Sequence, residues 1–216
     1  MSLLYYSRIL FIQNLLPLLA PSVSASHTHV ISVYAAGLEG KLIPDDLSLR
    51  SPKNYGFHQA RSHVVHMKTM AFEHLARQHQ GLSLVHVYPG LVITPAFYAS
   101  TMPWWFRLMW AIVGPALSRW CALPAAESAA RTIYLANNRR FPPAGDGAET
   151  RKLGDEVALG TDGDRGSGAY AVADNSGALD VNAKYEELRK KGFGDEVWEH
   201  TMQAFEEIRA GKVFTA

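Results

Sequence analysis

Residues 29–36 (HVISVYAA) and residues 82–88 (LSLVHVY) decide the fold, because both are short and almost wholly apolar. Runs of this kind predict strands of a parallel sheet that are buried on both faces. The segment between them, residues 55–79, predicts one long amphipathic helix because its apolar side chains recur every three or four positions: Phe57, Ala60, Val64, Met67, Ala71 and Leu75. A strand, a helix and a second strand predict a parallel crossover unit.

The flanking sequence extends this unit into an α/β domain. We predict a third strand over residues 168–173 (GAYAVA) and further helices over residues 5–20, 103–123, 124–138, 181–191 and 195–210. Residues 142–168 are rich in Gly, Asp and Pro and are predicted to form an exposed loop. The predicted architecture is a single domain over residues 1–216, an incomplete Rossmann-like doubly wound parallel sheet of about three strands with flanking helices.

Composition and charge exclude several classes of function. The 216 residues include 21 Lys plus Arg and 20 Asp plus Glu, a net charge of +1, so no basic field is available to bind nucleic acid. The single cysteine, Cys121, cannot form an internal disulfide, which is typical of an intracellular protein. Residues 1–26 loosely resemble a signal peptide, but Gln13, Asn14 and Pro17 interrupt the apolar stretch. We therefore expect a cytoplasmic location.

The tryptophan-rich segment over residues 101–124 is too short to span a bilayer. Arg107 and Arg119 are separated by only 11 residues, whereas a spanning helix needs about 20. No transmembrane segment is therefore predicted.

Three segments resemble the second half of a short-chain dehydrogenase/reductase: residues 30–37 (VISVYAAG), 55–60 (YGFHQA) and 87–94 (VYPGLVIT). Longer stretches are similar to a fungal subgroup of secondary-metabolite oxidoreductases: residues 5–19 (YYSRILFIQNLLPLL), 71–79 (AFEHLARQH), 85–97 (VHVYPGLVITPAF) and 197–205 (VWEHTMQAF). The resemblance implies an oxidoreductase that uses NAD or NADP to reduce or oxidise a lipophilic carbonyl or alcohol.

The resemblance does not include the family's N-terminal strand, Gly-rich turn and helix, which hold the cofactor pyrophosphate. We expect no such unit before Tyr5, and we therefore interpret the chain as a truncated half-domain. The glycine cluster at Gly160, Gly163, Gly166 and Gly168 follows a loop and leads into an extended segment, so we interpret it as a loop and not as a phosphate cradle. This chain alone is therefore expected to bind no dinucleotide.

The resemblance also assigns three catalytic positions. Tyr55 corresponds to the catalytic tyrosine, Gln59 stands at the position of the catalytic lysine, and Tyr34 stands at the position of the catalytic serine. An ammonium four residues after a tyrosine would lie on the same helical face and lower the pKa of the phenol, and uncharged Gln59 cannot do so. A purely structural role for Tyr55 at the start of the helix stays open.

By the same resemblance, Pro89, Gly90 and Thr94 would lie beside the nicotinamide, and Trp104, Trp105 and Trp110 would belong to a helical lid, residues 101–124, over an apolar substrate. A helix in a membrane interface and ordinary core packing are the other interpretations of this segment. The three-residue step from His63 to His66 lacks a third ligand at metal spacing, so no metal site is predicted.

Three functions follow from these observations. The first is an oxidoreductase of lipophilic carbonyls or alcohols whose complete form contains this chain, with this chain inactive alone. The second is a non-catalytic partner or pseudoenzyme that pairs with a relative through the helices over residues 5–20 and 55–79, as a homo- or hetero-oligomer. The third is an interfacial membrane-associated protein that uses the tryptophan-rich segment.

Overall fold

A three-stranded parallel sheet organises the domain, in agreement with the predicted α/β class. The computed structural model describes residues 1–19, 28–95, 103–137, 139–147 and 152–214. Strands β1 (Thr28–Val33), β2 (Leu82–Val87) and β5 (Ala169–Val172) lie in the order β1-β2-β5. Thr28 is opposite Leu82, and Leu84 is opposite Ala169. Two further strands, β3 (Leu91–Val92) and β4 (Ala122–Leu123), form a small parallel pair that the sequence did not predict.

The N-terminal segment is part of the core. A π-helical turn, Ser2–Tyr6, continues into helix α1 (Ser7–Leu19), which confirms the predicted helix to within a few residues. Tyr5, Ile9 and Ile12 are buried against the face of the sheet that α1 covers. The small-residue stretch that resembles a cleavage site, residues 23–26, lies outside the described residues.

Helix α2 (Phe57–Gln78) connects β1 to β2 and confirms the predicted crossover helix. One feature of the prediction is wrong: Phe57 was assigned to the buried face, but its side chain is 76% exposed. From Ala60 to Ala76, by contrast, the helix is buried around almost its whole circumference, because the sheet lies on one side and the C-terminal helix on the other. Apolar periodicity therefore identified the helix but underestimated its burial.

The remaining elements cover the two faces of the sheet. They are α3 (Trp104–Trp120), α4 (Ala125–Asn137), α5 (Asn182–Lys190) and α6 (Phe193–Arg209). Because side chains alternate along a strand, Leu82 and Leu84 pack toward α1 and α2, whereas Val85 and Val87 pack on the opposite face with Leu135 of α4.

The segment predicted as an exposed loop, residues 142–168, is only partly exposed. It contains a 3-10 helix, Gly154–Glu156, and a β-bridge between Leu159 and Arg165. Val157, Ala158 and Thr161 are buried. The prediction of exposure was wrong because a segment rich in glycine can still cover a sheet when its few apolar side chains point inward.

Candidate active site

The carboxyl ends of β1 and β2 bring two of the predicted regions to one edge of the sheet. Tyr34 directly follows β1, and Tyr88, Pro89 and Gly90 directly follow β2. The Tyr34 N–H donates to the Val87 carbonyl at 2.7 Å, which keeps the two strand ends together. This edge is where open parallel sheets bind ligands.

Gly90 is required at this edge by its backbone. Its φ angle is +73°, a conformation that side chains other than glycine rarely adopt. A Cβ atom at this position would also meet the Asp174 Cβ at 3.0 Å. Asp174 follows β5, so the bend at Gly90 lets the segment after β2 pass close to the end of the neighbouring strand.

Two basic side chains approach the Tyr34 ring. The Arg8 guanidinium carbon is 5.8 Å from the ring centroid, and the Lys68 Nζ is 5.1 Å from it. Burial raises the pKa of the Tyr34 phenol, and the charges of Arg61 and Arg8 offset only part of this effect. The phenol is therefore not prepared to lose a proton near neutral pH.

Lys68 is the residue that the sequence interpretation missed. Its side chain on α2 is fully buried, and the Nζ forms no hydrogen bond within the described structure. Burial, together with the charge of Arg8, lowers the pKa of Lys68 to about 7. The sequence did contain a signal: Lys68 is four residues after Val64 and three before Ala71, which places it on the apolar stripe of the helix.

His86 and Arg8 complete a basic cluster with Lys68. The His86 ring on β2 is buried, accepts a 3.4 Å hydrogen bond from the Ala35 N–H, and lies near the Phe72 ring. Burial lowers its pKa well below the usual value, and the charges of Lys68 and Arg8 act in the same direction. Burial thus favours the neutral forms of the His86 imidazole and the Lys68 amine, while Arg8 keeps its charge.

Arg8 anchors the cluster to β1. Its Nη1 donates to the Val33 carbonyl at 2.6 Å and to the Ser32 Oγ at 3.3 Å. Ser32 and the Val33 carbonyl thus orient the guanidinium group of Arg8.

Tyr55 and Gln59 lie in different surroundings from Tyr34. Tyr55 precedes α2, is 64% exposed, and lines a cavity with residues of α6 and the C-terminal segment. Gln59 Nε2 donates to the Lys41 carbonyl at 2.7 Å and so fastens the preceding loop to the start of α2. The Gln59 side chain therefore performs a structural contact at the position where the resemblance would place a lysine.

The histidines of α2 also have structural contacts. His63 Nε2 accepts from the Ile43 N–H at 3.0 Å, and His66 Nε2 lies 3.0 Å from the Gly40 carbonyl, to which it donates. Among the described residues there is no group of three His, Cys, Asp or Glu side chains that could hold a metal ion. Both rings fasten the loop after β1 onto the helix.

Thr94 and the tryptophan helix are mostly exposed. Thr94 is exposed two residues beyond β3. On α3, Trp104 is 76% and Trp105 is 56% exposed, whereas Trp110 is buried and stacks on the Phe106 ring at 6.1 Å. Residues 101 and 102 of the predicted lid lie outside the described residues. Over the part of the chain that is described, no helix combines the length and hydropathy needed to cross a membrane.

The chain is similar to several fungal proteins that are named as oxidoreductases. The chain is 34% identical over 211 residues to the short-chain dehydrogenase/reductase SAT2 of Stachybotrys chartarum, which covers 96% of this chain and 58% of that protein. It is 35% identical over 213 residues to the oxidoreductase AN1596 of Emericella nidulans (93% and 59%) and 31% identical over 211 residues to the oxidoreductase andH of Emericella variicolor (94% and 59%). No protein-family model and no solved structure matches the chain. The chain thus spans less than two thirds of the length of these relatives.

Proposed function

We propose that the chain is part of an NAD(P)-dependent oxidoreductase of the short-chain dehydrogenase/reductase family that reduces or oxidises a lipophilic carbonyl or alcohol. The observation that carries the proposal is the similarity to fungal proteins named as oxidoreductases over more than nine tenths of the chain. The parallel sheet, with Tyr34 and Gly90 at its carboxyl edge, is consistent with a ligand site at that edge.

The described residues fit only one end of a dinucleotide. The nicotinamide end would lie at the edge after β2, beside the bend at Gly90 and the exposed Thr94. The glycine cluster does not fit the pyrophosphate, because Gly160 packs against Ser167 and Asp162, and Gly168 leads into β5 and not into a helix. A bound dinucleotide would supply or accept the hydride.

Two tyrosines are candidates for the proton donor. Tyr55 has the position that the family resemblance assigns, whereas Tyr34 lies at the strand edge beside Arg8 and Lys68. Because burial raises the pKa of Tyr34 and Gln59 provides no charge near Tyr55, we propose that this chain alone transfers no hydride.

Fluorescence titration tests the cofactor part of this proposal. NADPH and NADH are added separately to the purified 216-residue chain, and nucleotide emission is followed. We expect no saturable change below 1 mM; tight binding by the chain alone would overturn the expectation.

The activity itself is tested on the product of the complete transcript, whose 5′ end is first sequenced. NADPH consumption is followed at 340 nm with a panel of long-chain aldehydes and aryl ketones. Tyr34→Phe and Tyr55→Phe identify the proton donor, because only the catalytic phenol should lower kcat by 100-fold or more while Kd for NADPH is retained. A longer product that binds no dinucleotide and reduces no member of the panel would contradict the proposal.

A non-catalytic partner is the second candidate, and the position of β1 favours it. Within the described residues β1 pairs with β2 alone, and its residues 30–33 line a cavity of about 440 Å³ together with Phe11 and Leu15 of α1. An apolar edge strand pairs readily with another strand. Affinity purification beside a full-length relative tests this role: stable co-elution supports it, and separate elution at micromolar concentration counts against it.

The third candidate is binding at a membrane interface, for which α3 is the observation. Its exposed tryptophans and its two arginines have the composition of interfacial helices. Co-sedimentation with vesicles of mixed neutral and anionic lipid tests this role, and a protein that stays in the supernatant would exclude it. If α3 is instead a substrate lid, the protein should stay in the supernatant.

A further inference from the structure

A second cavity lies away from the sheet edge, where the N-terminal segment, the loop after β1 and helix α6 meet. Its volume is about 360 Å³, within the range of about 300–1,000 Å³ that small-molecule sites occupy. Its lining includes Tyr6, Ser48, Arg50, Tyr55, Ile208 and Phe214. Of this lining, only Tyr55 has a role in the proposed oxidoreductase activity, and no ligand is assigned to the other residues.

Three polar atoms lie together beside this cavity, and two of them belong to lining residues, Tyr6 and Ser48. The Tyr6 hydroxyl lies 2.9 Å from the Ser48 Oγ and 2.7 Å from the His200 Nε2, and the Ser48 Oγ lies 3.2 Å from the same nitrogen. The three residues come from three separate parts of the chain. Their mutual distances all fall within hydrogen-bonding range, so the group forms a closed polar triangle.

The triangle cannot satisfy all its members internally. One imidazole nitrogen either donates or accepts, and never both. When Nε2 carries the proton, one hydroxyl proton is left without an acceptor inside the triangle; when Nε2 accepts, one of the three edges has no proton. Only the tautomer with the proton on Nε2 therefore leaves a hydroxyl donor for a group in the cavity, and an anion bound there would favour that tautomer.

The loop that carries Ser48 and Arg50 has a strained conformation. Leu49 is buried with a φ angle of +53°, which is unusual for any residue other than glycine. The Asp46 carboxylate holds the loop in this shape: it accepts from the Arg50 N–H at 2.7 Å and from the Asn54 Nδ2 at 2.7 Å. Strain that the surroundings maintain in this way is found where side chains are held for function.

A positive charge and apolar walls define what the cavity accepts. The exposed Arg50 guanidinium donates to the Phe214 carbonyl and lies 6.0 Å from the Phe214 ring centroid. Within the described residues this is the one hydrogen bond of the guanidinium, which leaves most of its five N–H donors available. Ile208, Ala204 and the Phe214 ring supply the apolar surface.

We propose that this cavity binds a monocarboxylic acid with an apolar chain. The carboxylate would lie between Arg50 and the hydroxyls of Tyr6 and Ser48, and the chain would lie along Ile208 and Phe214. One guanidinium and neutral hydroxyl donors match a single negative charge better than a phosphate dianion, which commonly requires several cations. This binding needs no dinucleotide, so its test is independent of the oxidoreductase proposal.

Calorimetric titration with octanoate, and with octanol as the neutral match, tests the proposal on the complete chain at low salt. Arg50→Met removes the charge, and Lys53→Met is the matched control because Lys53 is an exposed lysine of the same loop that does not line the cavity. Ser48→Ala removes one polar head group contact. Each variant must reproduce the circular dichroism spectrum of the unmodified chain, and Ser48→Ala provides a second route if Arg50→Met does not fold.

We expect 1:1 octanoate binding, at least tenfold weaker in Arg50→Met and about threefold weaker in Ser48→Ala. Lys53→Met should stay within twofold, and octanol affinity should change less than twofold in Arg50→Met. The absence of octanoate binding at 1 mM would overturn the proposal. Equal losses in Arg50→Met and Lys53→Met, or octanol bound as tightly as octanoate, would also overturn it.

Discussion

Helices α2 and α3 differ in how their composition relates to their burial. α2 carries several charged and polar side chains, among them Lys68 and Glu73, and is buried along most of its length. α3 has only two charged side chains, Arg107 and Arg119, yet its apolar residues are exposed: Trp104 by 76%, Ile112 by 72% and Trp120 by 83%. The more polar helix is thus the more buried one.

Partners explain the difference. Glu73 receives two 2.9 Å hydrogen bonds from the Arg189 guanidinium, and Thr69 is hydrogen-bonded to the Tyr185 hydroxyl at 3.2 Å. Buried polar groups are tolerated when they are paired. Among the elements that the structure describes, α3 by contrast contacts mainly the two-residue strand β4, which is too small to cover its apolar surface. The elements available to pack against each helix, more than the helix's own hydropathy, therefore decided which helix became buried.

Replacing Lys68 with Met should give the largest effect, a gain in stability. The folded pKa of about 7 lies below the ordinary 10.5, so the unfolded chain binds the proton more tightly. The resulting penalty, at most about 5 kcal/mol, is fully present below pH 7 and disappears as pH rises toward 10.5. In urea unfolding, the advantage of Lys68→Met should therefore be greatest at pH 6 and should narrow by pH 9.

Lys41→Met is the control for that experiment, because Lys41 is exposed. It should change the free energy of unfolding by less than about 0.5 kcal/mol at either pH. A Lys68→Met variant that is no more stable than the original chain at pH 6 would show that the amine has a partner in solution.

Removing the partner of Glu73 should give the next largest effect. Arg189→Met leaves a carboxylate that is only 4% exposed without its bidentate partner, which should cost about 3 kcal/mol. The neighbouring Lys190→Met, whose ion pairs are exposed, should leave the urea midpoint unchanged. Equal midpoints for the two variants would contradict the role given to the buried pair.

Substitutions on α3 should change association more than stability. A triple variant with Trp104→Ser, Ile112→Ser and Trp120→Ser should lose less than about 0.5 kcal/mol per substitution, because these side chains are exposed. It should also sediment as a smaller species than the original chain, since contiguous apolar patches promote association. Phe57→Ser, which removes an isolated exposed ring on α2, should leave the sedimentation profile unchanged.

The smallest effect is expected for the exposed pair on α4. Glu127 and Arg131 are 2.5 Å apart with an i,i+4 spacing, and Glu127→Gln should cost roughly 0.3–0.5 kcal/mol, less at high salt. Even at low salt, the loss of unfolding free energy in Glu127→Gln should stay close to this range. A loss of stability as large as that expected for Arg189→Met would show that Glu127 and Arg131 are more buried in solution than in this structure.

The sequence predicted the regular elements well, and the reasons lie in particular residues. The runs at 29–36 and 82–88 became β1 and β2 because their apolar side chains need burial on both faces. The tight pair β3 and β4 was missed, since two-residue strands have no periodicity to detect. Of the candidate site, the catalytic assignments to Tyr34, Tyr55 and Gln59 and the cofactor assignments to Gly90 and Thr94 all stay predictions.

Local chemistry alone determined that this chain would form alternating strands and helices, because apolar periodicity and turn residues act over a few neighbouring positions. Only the tertiary structure decided that Lys68 would be buried beside Arg8 and His86, and that Tyr6, Ser48 and His200 would meet at one cavity. These residues are distant in the chain, and their contacts depend on how the helices pack on the sheet. A local sequence pattern does not show which distant residues will come into contact, so the polar clusters became visible only in the folded molecule.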